Sequence, residues 1–257
     1  MGNINYPRVN VEEAFDELVR EYRTADKRAA AVLRDILPKD VSYPNADYIF
    51  YADEIVAELK CMMDDNSESA GNQAKVNNLI NEYFTAGKIN TKTITEESWK
   101  SFPNDFQVKF SEIFSHSIRA RVKKANIQIR ETKKHLRLNS YAGMLIIAND
   151  GLVSMPPAAF IETTIRTITN NKRQFIDSFI YLTVNLFATI EDTPLPTVFW
   201  MPFSMKEPSK VSEAFLNQLR TAWQNKINKK MGITHSFGHE IKDEDMGKFW
   251  QARHKGK

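Results

Sequence analysis

A short stretch of alternating residues near position 50 constrains the fold more than any other part of the chain. Residues 46–60 read ADYIFYADEIVAELK, and apolar side chains recur at every second position on either side of Ala52 and Asp53. Alternation of this kind is typical of a half-buried strand, and a short break between two such runs indicates a turn. The segment therefore predicts a β-hairpin with one buried face.

The predicted register of this hairpin opposes two acids. If Ala52 and Asp53 form the tip, Asp47 faces Glu58 across the two strands, and Lys60 lies on the same face as Glu58. Directly opposed residues have Cβ atoms about 5 Å apart, and like charges there repel each other. A divalent cation offsets that repulsion, since Mg²⁺ is held by one or two carboxylates and keeps several waters. The prediction depends on the register, because a shift by one residue would point Asp47 away from Glu58.

Length and composition set broad limits on the fold. A chain of 257 residues, 42% of them hydrophobic, can bury a sizeable core as one large domain or two small ones. The single cysteine, Cys61, excludes a disulfide framework and a cysteine-based zinc site. No segment approaches the roughly 18 uninterrupted apolar residues of a spanning helix, and the first residues lack the apolar core of a signal peptide. We expect a soluble, cytoplasmic protein.

Positive charge is concentrated in one part of the chain, although the formal net charge is only +3. Residues 119–137 contain a single acid, Glu131, and eight basic residues: Arg119, Arg121, Lys123, Lys124, Arg130, Lys133, Lys134 and Arg137. Such a run predicts a surface that binds nucleic-acid phosphates. The alternative is an ordinary solvated helix face. A second basic stretch, residues 248–257, closes the chain.

Helix and strand patterns alternate along the chain. The first helix should begin near Val11, because Asn10 and Glu13 have the spacing of a helix start. A continuous apolar run, GMLIIAND, indicates a buried central strand at Gly143 and beyond. Further helices are predicted over residues 29–37, 75–84, 95–99, 105–138, 158–169 and 209–231, and further strands over 174–184 and 197–203.

This order predicts an α/β fold with a central mixed sheet flanked by helices. We expect a single α/β domain over residues 1–257, with a core over about 11–205 and a C-terminal helix and basic tail over 209–257.

The hairpin and its surroundings resemble the PD-(D/E)xK, or restriction-endonuclease-like, nuclease superfamily, mainly over residues 11–150. Asp47, three residues after Pro44, approximates the first motif element with two residues inserted, and Glu58-Leu59-Lys60 matches the second. The resemblance implies that Asp47 and Glu58 hold Mg²⁺ or Mn²⁺, with Glu17 as a candidate third ligand. It implies that Lys60 positions the attacking water or stabilises the developing charge, and that the basic run faces DNA.

The resemblance also implies an activity. We expect a metal-dependent endonuclease acting on DNA, with a role in restriction or defence and with a homodimer as a candidate state. Chemistry supports the same expectation, since phosphodiester hydrolysis needs a cation at the phosphate, a nucleophilic water and charge that stabilises the transition state.

Three alternatives stay open. A non-catalytic module that binds nucleic acid or protein could use the same scaffold, and a hydrolase of another kind could have its site in the C-terminal half. Glu17 could be a solvated helix residue.

The tripeptide is also weak evidence by itself, because Glu-x-Lys recurs at Glu131 and Glu240. His235 and His239 have the spacing of a helical zinc pair, but nearby glycines and the lack of a third ligand disfavour zinc there.

Overall fold

Helices and strands alternate along the chain in this computed structural model, which describes residues 6–22, 30–63, 69–95, 101–152, 155, 157–190, 193–196, 198–234 and 252–253. The helices are α1 (Val11–Glu21), α2 (Leu33–Ile36), α3 (Ala70–Thr85), α4 (Thr91–Thr95), α5 (Asn104–His135), α6 (Pro157–Thr169) and α7 (Glu213–Met231). The strands are β1 (Ala30–Val32), β2 (Tyr48–Phe50), β3 (Ile55–Met62), β4 (Ala142–Asn149), β5 (Ser178–Thr183), β6 (Leu186–Ile190), β7 (Thr193–Pro196), β8 (Trp200–Ser204) and β9 (Ala252–Arg253).

A six-stranded mixed sheet in the order β1-β2-β3-β4-β5-β8 forms the centre of the fold. The three middle strands β3, β4 and β5 are parallel, because helices carry the chain back between them, whereas β1, β2 and β8 run antiparallel to their neighbours. A small second sheet has the order β7-β6-β9. The predicted α/β class with a mixed, helix-flanked sheet is confirmed.

The hairpin has the predicted register. Tyr48 pairs with Ala57 and Ile49 with Val56, so continuing the ladder by one residue brings Asp47 opposite Glu58. Strand β2 is short and begins immediately after Asp47. The pair of acids is therefore placed by local strand pairing at the centre of the sheet.

Each face of the sheet is covered by its own pair of helices. One face packs against α1 and α7 through large side chains such as Phe15 and Trp223. The other face packs against α5 and α6 through Ile118, Val122 and Phe160. Because side chains alternate along a strand, Glu58 and Lys60 share the α5 face with Val56.

Several predicted elements are confirmed. Helix α1 begins at Val11, where the side chain of Asn10 accepts a hydrogen bond from the Glu13 N–H. The long basic segment is one helix of 32 residues, α5, and the apolar run is the fully buried strand β4. Helix α7 ends at Gly232, which adopts the left-handed conformation that glycine favours.

The helix predicted over residues 29–37 is wrong in its first half. Ala30–Val32 forms the edge strand β1, which pairs with Tyr48–Phe50, and only Leu33–Ile36 is helical. Pairing with β2 overrides the helical preference of the two alanines, because helix propensity amounts to less than about 1 kcal/mol per residue. Strands β6 and β7 were not predicted.

Some predictions fall on residues that the structure does not describe. These are the helix start at residues 95–99 beyond Thr95, the histidines His235 and His239, and the basic tail apart from residues 252–253. Within the described residues, no helix is both long enough and apolar enough to cross a membrane.

Candidate active site

Strands β2 and β3 bring together the three residues predicted for catalysis. Glu58 and Lys60 are two positions apart on β3, so both side chains lie on the sheet face that α5 covers. Asp47 precedes β2, and its Oδ2 accepts a hydrogen bond of 2.9 Å from the Leu59 N–H. This bond fixes the Asp47 carboxylate against β3, at the backbone of the residue that lies between Glu58 and Lys60 in the sequence.

Glu58 is fully buried, which is unusual for an acid. Its Oε1 forms an ion pair with the ammonium group of Lys60, whose side chain is itself only 14% exposed. Its Oε2 is also buried, and it has no hydrogen-bond partner among the described residues. An unsatisfied buried carboxylate oxygen is costly, so a group that binds this oxygen would stabilise the site.

Burial raises the pKa values of both acids, and the charge of Asp47 raises that of Glu58 further. The pKa of Glu58 rises to about 8, first because the carboxylate is buried and second because Asp47 is negatively charged, while Lys60 and Lys124 act in the opposite direction. Burial also raises the pKa of Asp47, against the Leu59 N–H and the charge of Lys60. The two acids therefore resist being ionised together unless a further positive charge joins them.

Glu12 and Glu17 on α1 have different surroundings. Burial raises the pKa values of Asp47 and Cys61, and the charge of Glu12 adds to both shifts. Glu17 is directed to α7 instead, where Lys230 donates a hydrogen bond of 2.9 Å to it and lowers its pKa. Of the acids on α1, Glu12 rather than Glu17 has the electrostatic link to the site.

The donor set at the site fits a hard divalent cation. Mg²⁺ and Mn²⁺ prefer oxygen ligands, and Mg²⁺ is commonly held by one or two carboxylates together with water. Asp47 and Glu58 supply two carboxylates, one of them with the unpartnered buried oxygen Oε2. The described part of the chain contains no cluster of three or more His, Cys, Asp or Glu residues suited to a metal. An ion here would therefore depend on these two acids, on water and on substrate oxygens.

Helix α5 divides the predicted basic run between its two flanks. Arg121 donates from Nε to the Cys61 carbonyl at 3.1 Å, and Lys124 lowers the pKa of Glu58, so both lie on the flank next to β3. Arg119, Lys123 and Arg130 line a cavity between α5 and α6. The eight residues therefore do not form one surface.

The remaining members of the run lie near the C-terminal end of α5. Lys133 is buried, which lowers its pKa, and the nearby charge of Asp177 opposes that effect. Lys134 is exposed, and Arg137 follows the helix in a left-handed conformation. The second Glu-x-Lys tripeptide also lies here, with Glu131 paired to Arg130 and not to Lys133. It is helical and does not reproduce the strand geometry of Glu58 and Lys60.

Two features near the cavity between α5 and α6 were not anticipated, namely the hydrogen bonds of Asn126 and the cations Lys172 and Arg173. Asn126 is buried on α5, accepts a hydrogen bond from the Phe175 N–H at 2.8 Å and donates one to the Arg173 carbonyl at 2.9 Å. It thereby holds the segment before β5 against α5, and that segment supplies Lys172 and Arg173 to the cavity. Helical spacing places Asn126 one turn from Val122 and Ile129, but its partners lie too far away in sequence to be anticipated.

Comparisons with protein-family models, with curated proteins and with solved structures find no match. Inference about function therefore starts from the geometry and electrostatics of the hairpin and of α5.

Proposed function

We propose that this protein is a metal-dependent phosphodiesterase that cleaves DNA, with Asp47, Glu58 and Lys60 as its catalytic residues and a restriction-endonuclease-like core as its scaffold. One observation carries the proposal. A fully buried Glu58 lies opposite Asp47 in register, beside Lys60, with one carboxylate oxygen that lacks a partner among the described residues. A purely structural acid in a sheet centre would normally have all its oxygens satisfied.

Asp47 and Glu58 would hold Mg²⁺ or Mn²⁺, which supplies positive charge at the scissile phosphate and lowers the pKa of a coordinated water. The two carboxylates are held by the protein before any ion binds, because the Leu59 N–H fixes Asp47 and the Lys60 ammonium fixes Glu58. Such preorganisation avoids the free-energy cost of arranging ligands during the reaction.

Lys60 has an electrostatic role in this proposal. Its ammonium group is paired with Glu58, so it carries positive charge next to the place where the phosphate would lie. A cation at that point stabilises the extra negative charge of the pentacovalent transition state, and its N–H groups can orient a water.

DNA is the proposed substrate because positive charge flanks the site. Arg121 and Lys124 lie on the flank of α5 next to β3, where the charge of Lys124 opposes the rise in the pKa of Glu58 that burial causes. Contacts of such residues with phosphates would position the backbone over the carboxylate pair. As part of the same proposal, restriction or defence against foreign DNA in the cytoplasm is the biological role, by analogy with nucleases of this kind.

The test is cleavage of supercoiled plasmid by the purified full-length protein with Mg²⁺ or Mn²⁺. We expect nicked or linear product from the wild type, none with EDTA, and a loss of about 100-fold or more in Glu58→Gln. Glu54→Gln is the matched control, because Glu54 is an exposed acid in the same hairpin, outside the site. Equal cleavage by the wild type and Glu58→Gln, or no cleavage by any of them, would overturn the proposal.

A second function is favoured by the cations on the other flank of α5. A non-catalytic module that binds nucleic acid would use these residues and would not need Asp47 or Glu58. It predicts DNA affinity that is sensitive to salt but unchanged by metal and by Glu58→Gln, with no cleavage. Plasmid cleavage separates the two functions.

A further inference from the structure

A basic cavity runs between α5 and α6, on the flank of α5 turned away from Glu58. Its volume is about 810 Å³. Six cations line it, namely Arg119, Lys123, Arg130, Arg166, Lys172 and Arg173, and we call this surface the α5–α6 trough. A neighbouring cavity of about 540 Å³ shares Arg130 and Arg173 and adds the exposed Lys134, the buried Lys133 and Glu131, which is paired with Arg130.

Positive charge exceeds negative charge in the trough. Its two acids, Glu112 and Glu162, are each paired with one of its arginines, Arg119 and Arg166. Within the part of the chain that the structure describes, Lys123, Lys172 and Arg173 have no ion-pair partner, and all three are exposed. Uncompensated cations in a concave surface focus a positive potential that attracts anions.

The trough is built from two separate segments that the structure holds together. Asn126 binds the backbone on both sides of residue 174, at the Arg173 carbonyl and the Phe175 N–H. This clamp fixes Lys172 and Arg173 opposite the α5 cations. Ordering the backbone in advance reduces the entropic cost of binding a ligand.

The shape and chemistry of the trough fit the backbone of a nucleic-acid duplex. From Arg119 to Arg130, the α5 cations of the trough, the helix axis spans about 16 Å at 1.5 Å per residue, which matches about five steps of one strand at 3.4 Å each. Proteins that hold single strands stack bases on aromatic side chains, and no aromatic residue lines the 810 Å³ cavity between α5 and α6 among the described residues. Arginines and lysines along a straight track instead suit a row of phosphates.

We propose that the α5–α6 trough binds the sugar–phosphate backbone of duplex DNA, independently of the Asp47–Glu58–Lys60 site and of divalent metal. It is a second DNA-binding surface on the far flank of α5, and it adds Arg166, Lys172 and Arg173 to the binding residues. The inference holds whether or not the hairpin site is catalytic, because it rests on the cations of the trough alone.

The test is fluorescence anisotropy of a short labelled duplex with the full-length protein in EDTA, over a range of salt concentrations. We expect Lys123→Ala/Arg173→Ala to lower the affinity for the duplex by about tenfold. The slope of the logarithm of the binding constant against the logarithm of the salt concentration should become shallower by about 0.9 for each phosphate that the variant no longer neutralises. The control is Lys229→Ala/Arg220→Ala, which removes one exposed lysine and one exposed arginine from α7 on the opposite face of the sheet. Thermal melts verify that both double variants are folded.

Each further result supports or overturns the inference. Unchanged affinity in the control supports binding through the trough, as does weaker binding of a single strand of the same sequence. Equal affinity of the trough variant and the wild type overturns it, as does an equal loss in the control. A protein that binds DNA through the trough but does not cleave plasmid contradicts only the proposed nuclease activity.

Discussion

The two flanks of α5 contrast in how they use charge. On the β3 flank, Asp47, Glu58 and Lys60 are largely buried. Lys60 is paired with Glu58, whose Oε2 has no hydrogen-bond partner among the described residues. On the α6 flank, three exposed cations of the α5–α6 trough, Lys123, Lys172 and Arg173, lack ion-pair partners among the described residues. Buried charge has perturbed pKa values and suits chemistry at one atom, whereas exposed charge acts at long range and suits binding of a polyanion.

This contrast predicts that mutations on the two flanks have separable effects. Changes at the hairpin should alter cleavage, metal binding and pH dependence, with DNA affinity preserved. Changes in the trough should alter DNA affinity and its dependence on salt, with the hairpin site preserved.

The largest expected effect is on cleavage. Lys60→Ala should reduce plasmid cleavage by about 100-fold or more, because it removes the positive charge next to the phosphate and leaves the buried Glu58 without its ion pair. DNA affinity in EDTA should change by less than about twofold, since the variant keeps the cations that neutralise most of the phosphates. Gel-based cleavage and anisotropy on the same preparation measure both. A variant that keeps full activity would show that Lys60 is only structural.

The next effect is on stability as a function of pH, without metal. The pKa of Glu58 is 4.5 in the unfolded chain and about 8 in the folded protein, so the folded state holds this proton more tightly. The free energy of unfolding should therefore fall as the pH rises from 4.5 to 8, where the buried carboxyl must ionise.

Glu58→Gln removes this titration. Its thermal midpoint should exceed that of the wild type by several degrees at pH 9, and the advantage should shrink toward pH 5. Urea or thermal unfolding across this pH range measures the difference, and Glu54→Gln serves as the exposed control. Parallel pH profiles for the wild type and Glu58→Gln would mean that burial does not perturb this carboxyl.

A smaller effect is expected from the clamp behind the trough. Asn126→Ala leaves the Phe175 N–H and the Arg173 carbonyl without their partner, at a cost of about 1–3 kcal/mol in stability. Looser placement of Lys172 and Arg173 should weaken DNA binding about threefold. Cleavage at saturating DNA should stay unchanged, because the Asn126 side chain holds residues 173 and 175 and not the catalytic residues. If cleavage fell in proportion to affinity, the two flanks would not be independent.

The smallest effect distinguishes two of the acids on α1, Glu12 and Glu17. Glu12→Gln removes a negative charge that acts on Asp47, and should weaken divalent-ion binding about twofold to threefold. Glu17→Gln should leave ion binding unchanged, because Glu17 pairs with Lys226 and Lys230 on α7. Manganese titration of both variants measures this. A larger loss in Glu17→Gln would restore Glu17 as a ligand.

Local patterns in the sequence were sufficient to predict the hairpin site. Alternation and the short loop at Ala52 and Asp53 set the register, and the register alone places Asp47 opposite Glu58. The same applies to the start of α1 and to the buried strand β4, where capping residues and a continuous apolar run predict structure from neighbours in sequence.

Features that depend on distant segments could not be predicted. Strand β1 forms because β2 offers an edge to Ala30–Val32, and no local pattern distinguishes it from a helix. The trough depends on the approach of α6 and residues 172–173 to α5. The division of the basic run could have been anticipated from helical spacing. Arg121 and Lys124 are three residues apart and share one side of the helix, whereas Arg119, Lys123 and Arg130 share another side.

The central claim is that Asp47 and Glu58 together hold a divalent cation. Calorimetric titration of the full-length protein with Mn²⁺ tests it most directly, with Asp47→Asn and Glu58→Gln as the variants and Glu54→Gln as the control. We predict that the wild type and Glu54→Gln bind Mn²⁺ at one site per chain, and that both site variants lose this binding. Equal Mn²⁺ binding by the wild type and Glu58→Gln, or no binding by the wild type, would contradict the claim.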